Sequence, residues 1–225
     1  MNTLPLFIPV TFIITTAITI IIFYKAANNL AAVLIILVWL TMQSAIALTG
    51  FYTDTHTLPP RFMLLPLPPL ILIIILFLTK KGRLFIDRLD VKTLVLLHTI
   101  RIPVELVLYW LSEHGVVPKL ITFEGRNFDI FSGLTAPLVY YFGFVRPVLG
   151  KGVLIAWNII CLLLLVNVVA HAVLSLPTPF QKFAFDQPNV AMLYFPYVWL
   201  PCCLVPLVLL SHLVVLRRLV SASAV

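Results

Sequence analysis

His98, Arg101, Glu105, Tyr109 and Ser112 recur three and four residues apart inside an otherwise apolar stretch. On a helix turning about 100° per residue they fall within an arc of about 80°. Leu96, Ile100, Val104, Val107 and Leu111 occupy the other side. That segregation marks a face that avoids lipid. Arg101 lies near the middle of the stretch, Glu105 one turn after it and His98 one turn before. An ionised group at such depth costs roughly 2.5–3.5 kcal/mol on insertion scales, which makes a functional role the default expectation. Arg101 and Glu105 are spaced to pair along their own helix, leaving guanidinium donors for a ligand. Pro103 lies between them and frees the Thr99 carbonyl, so a kink is expected there. The structural alternative is a buried Arg–Glu clamp that only fixes helix packing.

Other apolar stretches carry polar groups at similar depth. Gln43 and Ser44 lie midway along the second, and Thr11, Thr15 and Thr19 line one side of the first. Asn167 lies midway along the sixth, with His171 one turn further on the same face. Each alone reads as inter-helix glue. Taken together, Arg101, Glu105, His98, Tyr109, Gln43, Asn167 and His171 form the expected ligand-binding set, in a polar core open past Tyr109 and Glu113. Arg101 supplies the anion contact, and Glu105 the countercharge or a proton-coupled switch. The expected ligand is a small anionic or zwitterionic solute, bound or transported, or a lipid headgroup. Two other classes stay open. One is an intramembrane enzyme on a lipid-linked substrate, with Glu105 or His171 as general acid/base. The other is a structural subunit of a membrane complex.

The elements that position these residues follow from composition. Of 225 residues, 62% are hydrophobic and 10% charged, against roughly 45–50% and about 25% in soluble proteins. Fifteen Lys/Arg and eight Asp/Glu cannot cover the surface of a soluble fold this large. The fold class is therefore an all-α polytopic integral membrane bundle, a single domain over residues 1–225. A spanning helix needs about 20 apolar residues. Seven stretches are expected to cross: Leu4 to Tyr24, Asn29 to Gly50, Phe62 to Thr79, Thr93 to Ser112, Ile130 to Val145, Val153 to Leu176 and Val190 to Leu216. The fifth is short. The third, apolar all round, suits the periphery. Pro66, Pro68, Pro69, Pro103, Pro137, Pro196, Pro201 and Pro206 lie within these stretches, where they either kink helices or shape a cavity lining.

Lys25, Lys80, Lys81, Arg83, Arg88, Lys92, Arg146, Lys151, Arg217 and Arg218 fall at one end of the bundle, and Arg61, Lys119, Arg126 and Lys182 at the other. This ten-to-four bias places the N-terminus outside and the C-terminus in the cytoplasm, in a plasma membrane. The net charge of +7 is thus topological and gives no reason to expect nucleic acid as a partner. The bilayer itself is the expected partner. The first stretch has no basic leader and reads as a retained span rather than a signal peptide.

Residues 113–133, between the fourth and fifth stretches, mix apolar residues with Glu124, Arg126, Asn127 and Asp129. They suit either a lid over the cavity or a plain connection in which Gly125 turns and Asp129 caps the fifth helix. Cys161, Cys202 and Cys203 read as small packing residues. His98 and His212 share a depth at which two imidazoles could ligate haem. Asp54, His56, Glu113, His114 and His171 offer zinc ligand types without HExxH spacing. No metal and no cofactor is expected. The last stretch lacks the lysine a retinal Schiff base requires.

Overall fold

The computed structural model describes residues 4–221. The reading of the chain start falls partly on residues 1–3, outside that range. Among the described residues the secondary structure is helical throughout, with no strands.

Six helices are long and apolar enough to cross a membrane: Phe7–Ala27, Leu30–Leu48, Arg61–Leu78, Val91–Glu113, Lys151–Leu174 and Leu200–Ser221. This makes the chain a membrane-embedded, multi-pass protein. The fifth expected span is the shorter apolar helix Ile130–Val145. The first two helices, α1 (Phe7–Ala27) and α2 (Leu30–Leu48), meet at a tight corner. Asn28 ends α1 in the left-handed conformation, and Asn29 caps α2 by accepting from the Ala32 N–H. A 3₁₀ turn, Arg61–Leu64, leads into α3 (Leu67–Leu78), and the short α4 (Lys80–Ile86) follows at once.

The fourth span is broken internally. It comprises α5 (Val91–Leu97), a 3₁₀ turn at His98–Ile100 and α6 (Arg101–Glu113). Pro103 therefore falls in the first turn of α6, where its missing N–H removes no intrahelical bond. Helix α7 (Ile130–Tyr140) widens into a π-turn over Tyr141–Val145. Helix α8 (Lys151–Leu174) is followed by a long irregular segment. A second π-turn, Leu200–Leu204, opens α9 (Val205–Ser221). The seventh stretch begins later than expected: residues 190–198 are a 3₁₀ turn and irregular chain, yet Ala191, Met192, Leu193, Tyr197 and Val198 are buried.

Two rods form the centre. The fourth span and the α9 span are each 61% buried over their apolar windows, against 17% for the α2 and α3 spans and 22% for α8. Helix α1 packs on α5 and α6, α9 on α5 and α8, and α7 on the whole of the broken fourth span. The apolar side of that span is covered as well: Ile100, Val104, Val107 and Leu111 are buried. The peripheral helices present Leu34, Ile35, Val38, Ile71, Ile74 and Leu163 outward, an apolar belt a bilayer accommodates and water would not. The third span is peripheral, as its uniform apolarity implies.

Backbone polarity inside this apolar bundle is satisfied locally. Pro206 blocks a bond to the carbonyl four residues back, and that carbonyl, Cys202 O, accepts from Trp39 Nε1 at 3.0 Å. Thr15, Thr16 and Thr19 bond back to the carbonyls of Thr11, Phe12 and Thr15 in their own helix, so they do not reach toward a shared site. At the basic end, Arg217 holds Asp87 at 2.9 Å, and this hydrogen bond keeps the Asp87 carboxyl below its ordinary range.

Replacing Trp39 with Phe strands the Cys202 carbonyl and is expected to cost about 1–3 kcal/mol. Trp199 Nε1 donates at 2.9 Å to a Ser44 hydroxyl that is itself bonded to Leu40 O. Trp199→Phe should therefore cost only about 0.5–1.5 kcal/mol. Reversible unfolding in detergent measures both, and equal losses would refute this account of the proline break.

Candidate functional site: a sealed polar network around Arg101

The bundle centre gathers charged and polar side chains from five segments. Arg101 and Glu105 come from the start of α6, and His98 from the 3₁₀ turn before it. Asn127 and Asp129 come from the connection to α7, Asn158 from α8 and His212 from α9. All seven are buried, with Arg101 at 3% exposure and Glu105 at 2%.

Arg101 does not pair with Glu105. Its Nη1 donates to Asp129 Oδ1 at 2.6 Å and lies 3.4 Å from the Cys161 carbonyl. Its Nη2 lies 3.0 Å from His212 Nε2. Arginine has no acceptor, so His212 Nε2 accepts and the ring proton sits on Nδ1. Nδ1 then donates to Asn158 Oδ1 at 3.0 Å, and Asn158 Nδ2 donates to the Leu154 carbonyl at 2.9 Å. The tautomer of His212 thus follows from the arginine beside it.

Glu105 has a separate partner. Asn127 Nδ2 donates to Glu105 Oε1 at 2.6 Å and to the Ile121 carbonyl at 3.0 Å. Asn127 Oδ1 accepts from the Asp129 N–H at 2.9 Å, which ties the two halves of the network together. Four buried atoms here have no protein partner: both His98 ring nitrogens, Arg101 Nε and Glu105 Oε2. His98 is held by stacking alone, 3.9 Å from the His212 ring and edge-on to Trp157.

The connection that delivers Asn127 and Asp129 runs back into the bundle. Glu105 lies eight residues before the end of α6 at Glu113, about 12 Å at 1.5 Å per residue. To reach it the chain descends that far alongside α6. On the way its backbone is bonded internally, through Arg126 N to Leu120 O at 3.0 Å and Gly125 N to Thr122 O at 2.9 Å. Re-entrant chain of this kind is tolerated in a membrane only when buried in protein, and Val117, Ile121, Thr122, Asn127 and Asp129 are buried. Helix α7 then starts deep, pressed against α6. A Cβ on Gly133 would stand 2.9 Å from Ile102 Cγ1 and 3.3 Å from Arg101 Cβ, so a larger residue there would push the helices apart.

Several expectations need correction. Asp129 does not cap α7 through its side chain; the charge of Arg101 takes the carboxylate instead. The residues between α6 and α7 are neither a surface lid nor a plain connection but a plug. The polar core does not open past Tyr109 and Glu113. The irregular segment after α8 is latched to this region, with Gln187 Nε2 donating to Ser112 O at 2.9 Å and Val117 O at 2.6 Å. Tyr109 is half-buried and stacks on Phe123.

Gln43, Asn167 and His171 lie in other contacts. Gln43 accepts from the Tyr52 hydroxyl. Asn167 donates to the Arg126 carbonyl at 2.8 Å. His171 bonds the Asn167 carbonyl and stacks on Phe183. His98 and His212 do lie together, but ring against ring, which leaves no gap for a macrocycle. Among the described residues no three His, Cys, Asp or Glu side chains converge on a metal position. Asn127, Asp129, Asn158 and His212 were missing from the expected set. The available signals are a polar cluster in a connection that also carries apolar residues, and the polar side chains Asn158 and His212 within apolar stretches of α8 and α9.

The family model for a domain of unknown function, DUF8737, matches residues 58–220. That range contains every member of the Arg101 network and leaves out α1 and α2. No curated protein matches the chain, and no solved structure does.

Removing Asp129 alone leaves an uncompensated buried guanidinium, so Asp129→Ala is expected to cost about 3–5 kcal/mol. The double change Arg101→Met with Asp129→Leu should recover most of that loss, because it removes both charges together. Unfolding midpoints in detergent decide it. A double variant as unstable as the single one would show that the ion pair is not the source of the cost.

Proposed function

The chain belongs to the DUF8737 family, and for it we propose a membrane transporter or receptor whose occluded site binds a small anionic or zwitterionic solute, or a lipid headgroup, at Arg101. One observation carries this reading: Asp129, a carboxylate on re-entrant non-helical chain, occupies the anion position on Arg101. A clamp needs no such arrangement, since Glu105 is one turn away on the same helix. Instead Glu105 is held by Asn127 and keeps one oxygen without a partner. Withdrawal of the plug would take Asp129 off Arg101 and Asn127 off Glu105 together, because the two loop residues are bonded to each other.

The solute's carboxylate or phosphate then replaces Asp129 on the guanidinium. One guanidinium faces two carboxyl groups, so a proton or the ammonium group of a zwitterion balances the second. Glu105 is the carboxyl placed to take it. His98, with both nitrogens free, lines the same space. In this reading the short helix and the plug before it together make a seventh crossing. The N-terminus lies outside, the C-terminus lies in the cytoplasm, and the membrane is the plasma membrane. A cysteine placed at Lys81 should then react with a membrane-impermeant maleimide only after the cells are opened, and one at Glu124 before. The reverse pattern refutes the orientation.

The near-complete burial of the network favours a second reading, a structural clamp. A thermal-shift screen of the purified protein against carboxylates, phosphates and zwitterionic amino acids separates the two. The transport or receptor reading expects at least one compound to raise the midpoint. The rise should be larger in Asp129→Asn, where the internal competitor is weakened, and absent in a folded Arg101→Gln. If no compound raises the midpoint of the wild-type protein, the clamp reading stands instead.

A further inference from the structure

A second polar and apolar combination lies at the basic end of the bundle, away from Arg101. Helices α2 and α3 stand on either side of a groove of about 440 Å³. Both pack on the α9 span rather than closing on each other, so the π-turn and α9 supply the floor through Cys202, Cys203 and Leu207. The walls are apolar: Ala32, Ile35 and Trp39 on α2, and Pro69, Leu72 and Leu76 on α3. The Trp39 N–H is already used by the Cys202 carbonyl. A cleft of this size and lining suits a flexible hydrocarbon chain.

The groove's end is built differently. Asn29 stands on one wall and Phe85 of α4 on the other. Helix α4 is pressed against the end of α3, since a Cβ on Gly82 would collide with the Leu76 carbonyl. The Thr79 hydroxyl caps α4 by accepting from the Gly82 N–H at 3.1 Å. Lys81 is one turn before Phe85 and shares its face of α4. Lys80 is adjacent, and both lysines are exposed. Arg83 is spent on the Leu78 and Phe77 carbonyls. Neither Lys80 nor Lys81 is in an ion pair among the described residues. An apolar slot whose end is lined by Phe85, one turn from the exposed Lys81 and close in sequence to the exposed Lys80, matches one kind of molecule in its chemistry.

We infer that this groove is a binding site for an anionic phospholipid, with an acyl chain between α2 and α3 and the phosphate held by Lys80 and Lys81. The zwitterionic phospholipids fit the slot equally well, so discrimination comes from net headgroup charge at the lysine pair. Each basic group near a membrane surface favours anionic lipid by about five-fold.

Native mass spectrometry of the full-length protein, released from bilayers of equal parts phosphatidylglycerol and phosphatidylcholine with matched chains, tests this. The wild type should retain phosphatidylglycerol preferentially, and Lys80→Gln with Lys81→Gln should lower the preference by about five-fold per lysine. Ala31→Trp, which fills the groove from an exposed position on α2, should reduce retention of both lipids without changing the thermal midpoint. Arg146→Gln with Lys151→Gln removes two charges at the same end outside the groove and should leave the preference intact. Equal retention of the two lipids by the wild type overturns the proposal. So does an equal loss in the Arg146/Lys151 control, or full retention in Ala31→Trp.

Discussion

A guanidinium halfway along a 23-residue span must find its counter-charge inside the protein, because lipid offers none and the cost of leaving it bare is several kcal/mol. Most of the central architecture follows from how Arg101 meets that demand. Its carboxylate comes from Asp129, so the chain after α6 must turn back into the bundle. Because Asp129 lies that deep, α7 starts deep and is short. Because α7 starts against Arg101, Gly133 must carry no Cβ. The two remaining faces of the guanidinium draw in α8 through the Cys161 carbonyl and α9 through His212. Three helices and a plug are thereby registered against one side chain.

The backbone meets the same demand on a smaller scale. Each irregular stretch in the bundle frees carbonyl or N–H groups that cannot turn to water. The plug bonds to itself and to the segment after α8. The proline break before α9 is closed by an indole from α2. This explains why non-helical chain is concentrated where protein surrounds it, while α2 and α3, which face outward, carry few such breaks within their regular lengths. It also explains how an apolar periphery and a polar centre coexist: the helices least buried have the least to satisfy.

Two chemically distinct districts result. In the middle, one cation, two carboxyl groups and two stacked imidazoles are sealed together with unpaired atoms left over. At the basic end, exposed lysines lie on the short helix whose Phe85 lines an apolar slot. The first concentrates its charges where every interaction is strong because water is excluded. The second leaves its charges at the rim, where selectivity comes from net charge.

Sequence patterning alone determines much of this chain. Apolar length locates the six helices long enough to cross and the short one, because a bilayer imposes that length on any spanning helix. Composition excludes a soluble fold. The helical spacing of His98, Arg101 and Glu105 singles out the fourth span, since a buried charge is expensive whatever surrounds it. What spacing could not decide was the partner. Glu105 is the nearest carboxylate in sequence, yet Asp129, counted with the loop charges, lies against Arg101. His212 and Asn158 join it from helices whose spacing says nothing of a shared partner. The apolar side of the fourth span is covered by its neighbours too. Periodicity reports how a residue sits on its own helix. Which helices meet, and whether a connection runs over the surface or back through the interior, depends on contacts between residues 28 to 111 positions apart, and only the tertiary structure decides those.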